Sequence, residues 1–277
     1  MIQYLYLGRV GYDEALRLQA EIATLRFASR VDNVLLLLEH PPVLTLGRNA
    51  HRSNILASDE LLARRGVTIH EINRGGDVTY HGPGQLVGYP IFDLRSLRTA
   101  SGGRMGPVDF VRLMEEALIR LCGEFGVRAG RIKGLTGVWC PAGGETLDES
   151  TGTGRKIGAI GIHVSRGITS HGFAFNVTTD LRDFALIVPC GIPDHAVTSL
   201  QQEVKSPKGL PSLEAIAHQA ARQFGLVFDQ QVLAVESLAA LRAQAASAPE
   251  FPAEDTPLQV PAEVERLRGN AERPVRA

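Results

Sequence analysis

The chain has 277 residues, 44% hydrophobic and 21% charged, which is enough for one large domain or two small ones. A formal net charge of −1 gives no reason to expect nucleic acid or an acidic membrane surface as a partner, and the eight scattered histidines suggest no metal cluster. Three cysteines without a CxxC pair, no signal-peptide pattern over Met1–Gly8 and no apolar run near the ~20 residues that span a bilayer together predict a cytoplasmic protein.

Apolar residues at Ala15, Leu16, Ile22, Ala23 and Leu25 predict an amphipathic helix over 12–30. Asn33–Glu39 carries the run Val34-Leu35-Leu36-Leu37-Leu38 and reads as a buried strand; Pro41-Pro42 separate it from a second strand, Val43–Leu46. Ser58 is placed to cap a short helix through Arg65. Val67–Ile72 and Leu86–Leu94 are strand-like and flank Arg74-Gly75-Gly76-Asp77-Val78-Thr79-Tyr80-His81-Gly82-Pro83-Gly84-Gln85, which reads as a rigid turn between two strands. Polar groups set among glycines on a loop held by strands are a common way to build a binding site.

Pro107 stands at a helix N1 position, and Phe110, Met114, Ala117, Leu118, Leu121 and Phe125 follow at helical spacing, with Cys122 beside them. Val138–Cys140 reads as a strand, and Gly143–Gly154 as a polar mobile loop. Lys156–Val164 and Thr169–Val177 are expected to form an antiparallel pair turning at Ser165-Arg166-Gly167. A further helix spans 212–225, capped by Ser212 and ended by Gly225. From about Ala243 onward Ala, Pro, Glu and Arg dominate and no period is sustained. The division is therefore a main region over 1–230, which holds every candidate site residue, and, over 231–277, a C-terminal helix with a disordered tail. Strands outnumber helices without regular β–α alternation, so the fold class is α/β (α+β): a large mixed or antiparallel sheet flanked by helices, not a Rossmann or TIM arrangement.

Cys190, in Pro189-Cys190-Gly191, is the candidate nucleophile; a thiolate attacks and a thiol does not, so its site must favour the thiolate. Cys122 faces a helix core and Cys140 ends a hydrophobic strand beside Trp139, so both read as structural. Lys156 enters the strand Ile157-Gly158-Ala159-Ile160-Gly161-Ile162. Its two glycines are costly in a strand unless a ligand or another backbone passes close. A lysine there can stabilise a thiolate or accept a proton. His81, His171 and His195 are rival bases. His81 and His171 precede glycines and suit a pocket wall, with His81 binding or orienting, whereas His195 suits a more distant place.

The Arg74–Gln85 stretch, Arg155–Ile162 with Ser170-His171-Gly172-Phe173-Ala174-Phe175-Asn176-Val177, and Ile187-Val188-Pro189-Cys190-Gly191-Ile192, in this order, resemble the lipoyl(octanoyl) transferase family over roughly the first four-fifths of the chain. The resemblance implies the fold shared with biotin and lipoate protein ligases and a catalytic pair of Cys190 and Lys156. It also implies an octanoyl group carried as a thioester on the phosphopantetheine of acyl carrier protein, with no cofactor of the enzyme's own and no metal. The acceptors would be lysines on lipoyl domains of 2-oxoacid dehydrogenase E2 subunits and on glycine cleavage H protein, served by a monomer with no nucleic-acid or membrane partner. Arg74, Gly75, Gly76, Asp77, Val78, Thr79, Tyr80, His81, Ala159, Ile160, Gly161, Gly172, Phe173 and Ala174 are the expected substrate-binding residues. The small Gly158, Ala159, Gly161, Gly172 and Ala174 would line an apolar slot, and N–H groups around Gly75, Gly76 and Gly191 would stabilise an oxyanion. No glycine loop matches a P-loop, so ATP is not required. The Gly143–Gly154 loop and the tail exceed the family pattern. Two alternatives stand beside this reading: an ATP-dependent lipoate or biotin ligase of the same fold, and a non-catalytic acyl-binding protein.

Overall fold

The computed structural model describes residues 1–142, 147, 153–188, 196–205 and 209–248. Cys190, Gly191 and His195, most of the Gly143–Gly154 loop and the tail from 249 lie outside the described residues. The strands are β1 (Ile2–Arg9), β2 (Asn33–Glu39), β3 (Val43–Leu46), β4 (Thr68–Glu71), β5 (Val78–His81), β6 (Gln85–Ile91), β7 (Gly130–Ile132), β8 (Leu135–Pro141), β9 (Gly154–Ser165), β10 (Ile168–Asn176) and β11 (Val232–Ala234). The helices are α1 (Tyr12–Phe27), α2 (Asp59–Arg64), α3 (Pro107–Glu124), α4 (Leu200–Glu203), α5 (Leu213–Phe228) and α6 (Leu238–Ser247).

An eight-stranded mixed sheet runs in the order β11-β1-β2-β6-β10-β9-β8-β7. β11, β1 and β2 are parallel, and the remaining pairs are antiparallel. The five-residue run Val34–Leu38 is apolar throughout because β2 is buried on both faces. Leu35 and Leu37 pack with α3 and α5, while Val34, Leu36 and Leu38 pack with α1 and α6. On the first face Phe110, Met114, Leu118 and Leu121 of α3 meet Ile216, Phe224 and Phe228 of α5 over Val138 and Phe175. Each such side chain contributes about 1.5–3 kcal/mol by leaving water.

A three-stranded sheet, β4-β3-β5, sits beside this framework. β4 runs parallel to β3 and β5 antiparallel to it, so the two strands that flank Arg74 are separated by β3 and do not pair with each other. The Arg74 segment therefore arches over the end of β3 and is no simple hairpin. Its Thr79, Tyr80 and His81 belong to β5 itself.

Local signals fix several ends. The hydroxyls of Ser58 and Ser212 accept from Leu61 N and Ala215 N and start α2 and α5. α5 runs past Gly225 to Phe228 and closes on Asp229 at φ 51°. Gly225 stands within the helix because Val232 of β11 packs against it where a side chain would lie. Within residues 231–277, β11 joins β1 at the sheet edge and α6 buries Leu241 and Ala245 against the α1 face. No helix among the described residues is long and apolar enough to cross a membrane.

Candidate active site

A cavity of about 190 Å³ lies where the small sheet rests against β9 and β10, beyond the first turn of α1. Strand alternation decides what reaches it. On β5, Thr79 and His81 face the cavity. Val78 and Tyr80 face the other way, into a cluster with Leu44, Leu46 and Phe184, and the Tyr80 hydroxyl donates to Asp183 Oδ2 at 2.7 Å. The expected placement of Val78 and Tyr80 at the pocket is thus corrected by the period of two.

Arg74, Gly75, Gly76 and Asp77 line the cavity. The arch is held by Arg48 N to Arg74 O (3.0 Å), Asn49 N to Gly76 O (3.2 Å) and Gly75 N to Ile162 O (3.0 Å). That last bond occupies the Gly75 N–H, so Gly75 is not available as an oxyanion donor. Asp77 accepts from Val78 N and Asn54 Nδ2, each at 2.6 Å. A Cβ on Gly161 would lie 2.7 Å from the Gly75 carbonyl oxygen, so this glycine admits the arch. Gly158 points instead at Leu118, Val138 and Phe175 in the α3 core and does not reach the slot. Gly172 borders the cavity, but a Cβ there would meet the Gly88 carbonyl and Pro90. Its smallness serves strand packing. Ala159, Ile160, Phe173 and Ala174 supply the apolar wall with Leu135.

Burial governs the imidazoles. His81 Nδ1 donates to Gln85 Oε1 at 2.8 Å, and Gln85 Nε2 donates to Tyr80 O (3.1 Å) and Asn176 Oδ1 (2.9 Å). Asn176 Nδ2 donates to Thr198 O at 3.0 Å. Burial, with His40 nearby, pulls His81 down to about 3, so its other nitrogen presents a lone pair beside the Thr45 hydroxyl. His171 sits at φ 55° and donates through Nε2 to Asn73 Oδ1 at 2.8 Å; burial and Arg74 pull it down to about 4. His40, donating to Val10 O and accepting from Tyr89, is likewise lowered to about 4 by burial. The Arg74 guanidinium donates to Thr45 O, Thr45 Oγ1 and Gly75 O at 2.8–3.0 Å.

Lys156 reaches the cavity through an irregularity in the sheet. Val138 pairs with Gly158 but Trp139 pairs with Lys156, so one step on β8 matches two on β9. This is a β-bulge with Ile157 as the extra residue. Ile157 and Gly158 both face the α3 core, and Lys156 is turned to the opposite face. A regular strand would have sent Lys156 into the core with Gly158. Lys156 is 8% exposed, and its Nζ stands 4.5 Å from the Trp139 ring centroid, a cation–π contact. Beyond the end of β10, residues 196–198 take the place next to β9: Lys156 N donates to Ala196 O (2.8 Å) and Thr198 N to Lys156 O (2.9 Å). Ala196 and Val188 are the described residues on either side of the Pro189-Cys190-Gly191 segment.

Cys122 and Cys140 are both buried. Burial pushes the Cys122 thiol well up and the Cys140 thiol to about 12, which disfavours the thiolate in each. Among the described residues no group of three or more His, Cys, Asp or Glu is arranged to hold a metal. Tyr12, Tyr89, Leu135 and Thr136 also line the cavity and were not singled out in the sequence. Gln85 and Asn176, polar residues inside otherwise apolar strands, were the legible signal for the buried network.

Residues 11–225 match the family model for the lipoyl protein ligase A/B catalytic domain. The chain is 60% identical to an octanoyltransferase of Acidobacterium capsulatum over 238 residues, covering 86% of this chain and 94% of that one. It is 54% identical to an octanoyltransferase of Koribacter versatilis, covering 86% and 88%. Among solved structures, a bipartite lipoate protein ligase from Thermoplasma acidophilum superposes with a TM-score of 0.63 at 17% identity, covering 89% of this chain and 91% of that one, a likeness of fold. With most of its length matched by the family model and its fold shared with the ligases, the chain belongs to the lipoyl protein ligase A/B catalytic family and is an acyltransferase enzyme of that family's octanoyltransferase group.

Proposed function

We propose that this enzyme takes an octanoyl group from the phosphopantetheine thioester of acyl carrier protein and delivers it to a lysine of a lipoyl domain, by way of a thioester on Cys190. The lysines would be those of 2-oxoacid dehydrogenase E2 subunits and glycine cleavage H protein, and the reaction would be the first step of protein lipoylation in the cytoplasm. The observation that carries this reading is the bulge that turns Lys156 into the cavity, where its backbone is bonded to Ala196 and Thr198 just after the Pro189-Cys190-Gly191 motif.

In the first half-reaction the Cys190 thiolate attacks the thioester carbonyl. The carbon–sulfur bond to pantetheine breaks, and the leaving thiolate takes a proton from the Lys156 ammonium. In the second, the amine of the lipoyl lysine attacks the Cys190 thioester. Its surplus proton passes to the now neutral Lys156, an amide forms, and Cys190 leaves as the thiolate. Proton and charge thus return to their starting places. A lysine of ordinary length is suited to both transfers because its amine swings on a flexible stem. The apolar wall of Ala159, Ile160, Phe173 and Ala174 supports binding of a short acyl chain, each buried methylene contributing about 0.8 kcal/mol.

Incubation with octanoyl-carrier protein tests this. Intact-mass spectrometry is expected to find one added octanoyl group, mapped to Cys190, and transfer is expected without ATP. Adducts on Cys122 or Cys140 would remove the assignment. Transfer from free octanoate only in the presence of ATP would make the protein a ligase.

A further inference from the structure

The bulge that aims Lys156 needs its own support, since a bulge leaves one strand's ladder locally unpaired. That support comes from outside the cavity. Glu115, in the middle of α3, is fully buried. Its Oε1 accepts from the backbone N–H of Gly137 at 3.0 Å, and its Oε2 accepts from Arg112 at 2.7 Å and Arg131 Nε at 3.0 Å. Gly137 precedes Val138, the β8 residue at which the register slips. It adopts φ 128°, a conformation that L side chains rarely adopt, and the Cβ it lacks would lie 2.6 Å from the Gly158 carbonyl oxygen and 3.4 Å from Lys156 Cε. The same carboxylate thus fixes the peptide beside Lys156, while its Arg131 partner fixes β7 in the hairpin that carries Leu135 and Thr136.

We infer that Glu115 is a positioning residue: its carboxylate, by holding the Gly137 N–H, maintains the β8–β9 bulge that turns Lys156 out of the α3 core and over Trp139 in the cavity. The role is exerted through backbone, without contact with substrate. It rests on the reading of Lys156 as a proton carrier for its effect on rate, but not for its effect on geometry.

The chain provides an independent reporter of that geometry. Trp139 is its one tryptophan, so intrinsic fluorescence reads the Lys156–Trp139 contact directly. The emission difference between wild type and Lys156→Met defines the signature of the lost contact. Glu115→Met keeps the approximate shape but offers no acceptor, and its two arginines are half-exposed and can turn to water. Glu115→Gln loses the charge but keeps an oxygen for Gly137 N–H.

Glu115→Met is expected to reproduce the Lys156→Met emission and to lower kcat by about 100-fold, the effect of misplacing a catalytic group by about 1 Å, with KM for octanoyl-carrier protein little changed. Glu115→Gln is expected to keep wild-type emission and to recover most of the rate. A folded Glu115→Met with wild-type emission and kcat would overturn the inference. So would a Glu115→Gln protein as slow as Glu115→Met, because the carboxylate would then matter only as an ion-pair partner. Should Glu115→Met not fold, Glu115→Ala takes its place beside Glu115→Gln with the same two readouts: Lys156→Met-like emission and a lowered kcat in Glu115→Ala uphold positioning, and wild-type emission and kcat refute it. If Lys156→Met itself retains full transfer, the proposed chemistry fails while the emission comparison still tests the positioning.

Discussion

Asn176 is the joint on which the buried network can be tested. It is 4% exposed at the end of β10, and it bridges Gln85 Nε2 (2.9 Å) to Thr198 O (3.0 Å). Asn176→Leu keeps the volume and removes both bonds. It strands an amide proton of Gln85 and the carbonyl of Thr198 in a buried place. Leaving a buried polar group unpaired costs about 1–3 kcal/mol, so two should cost about 2–6 kcal/mol, reduced by the apolar contact that leucine gains. An expected loss of about 3 kcal/mol corresponds to a fall in Tm of roughly 6–12 °C for a chain of this size.

Urea and thermal unfolding of the wild type and Asn176→Leu measure this directly. Gln85→Met removes the partner from the other side, and the double variant closes a cycle. Because the two residues share one hydrogen bond, a coupling of about 0.5–3 kcal/mol is expected. Transfer should also weaken, since Thr198 N is bonded to Lys156 O and the loosened strand carries the backbone of Lys156. A change in stability below about 0.5 kcal/mol, which is typical of a surface substitution, would refute the argument. Strict additivity of the two variants would do the same.

Three further outcomes are expected. His40, His81 and His171 are neutral in the fold with values of about 4, 3 and 4, whereas the unfolded chain protonates them near the ordinary 6.5. The unfolded state therefore binds more protons between about pH 4 and 6, stability falls as pH drops through that window, and each histidine contributes a slope of about 1.4 kcal/mol per pH unit; His81→Gln should flatten the urea-derived curve by one such share, and an unchanged slope would contradict it. Tyr80→Phe should cost about 1 kcal/mol through its lost bond to Asp183 and leave kcat unchanged, a tenfold fall in kcat being the result that would return Tyr80 to the site. Lys156→Ala should raise the pH at which Cys190 is alkylated, while Lys156→Arg should restore alkylation in part and leave transfer to the amine impaired, since a guanidinium does not readily accept a proton; identical alkylation profiles in all three proteins would show that Lys156 does not tune Cys190.

What the sequence could disclose followed from local physics. The run Val34–Leu38, Pro107 at the start of α3 and the spacing of Phe110, Met114, Leu118 and Leu121 each have one economical reading, and the elements lie where that reading puts them. The buried character of Cys122 and Cys140 was legible for the same reason. Long-range pairing was not: nothing local says that β3 comes between β4 and β5, so the Arg74 arch read as a hairpin. The glycines of β9 and β10 misled in a related way. Gly172 is small because the Gly88 carbonyl and Pro90 approach it, whereas Gly158 faces Leu118, Val138 and Phe175 at ordinary contact distance, and only these partners, distant in sequence, reveal that neither glycine opens the slot. The bulge at Ile157 was invisible too, because an even alternation over Lys156–Val164 assigns Lys156 and Gly158 to one face. It takes the pairing of Trp139 with Lys156 to show otherwise.

The bulge also sets the surroundings of the proton carrier proposed above, in a dry place. The surrounding imidazoles each give one N–H to an amide or carbonyl oxygen and are held neutral by burial, so they add polarity without charge. The Arg74 guanidinium is committed to carbonyl and hydroxyl oxygens of the arch and β3. Lys156 instead faces the Trp139 ring. An aromatic face attracts an ammonium through its quadrupole, by about 0.5–2 kcal/mol, and does not fix any one N–H in a bidentate pair. Had the nearest support been a carboxylate, release of a proton would strand a buried anion, at a cost of several kcal/mol. An indole carries no charge of its own, so the proposed proton transfers would strand no buried anion beside it. The arrangement requires Lys156 and Trp139 to share a face, and on these two strands they do so only because β9 carries one residue more than β8.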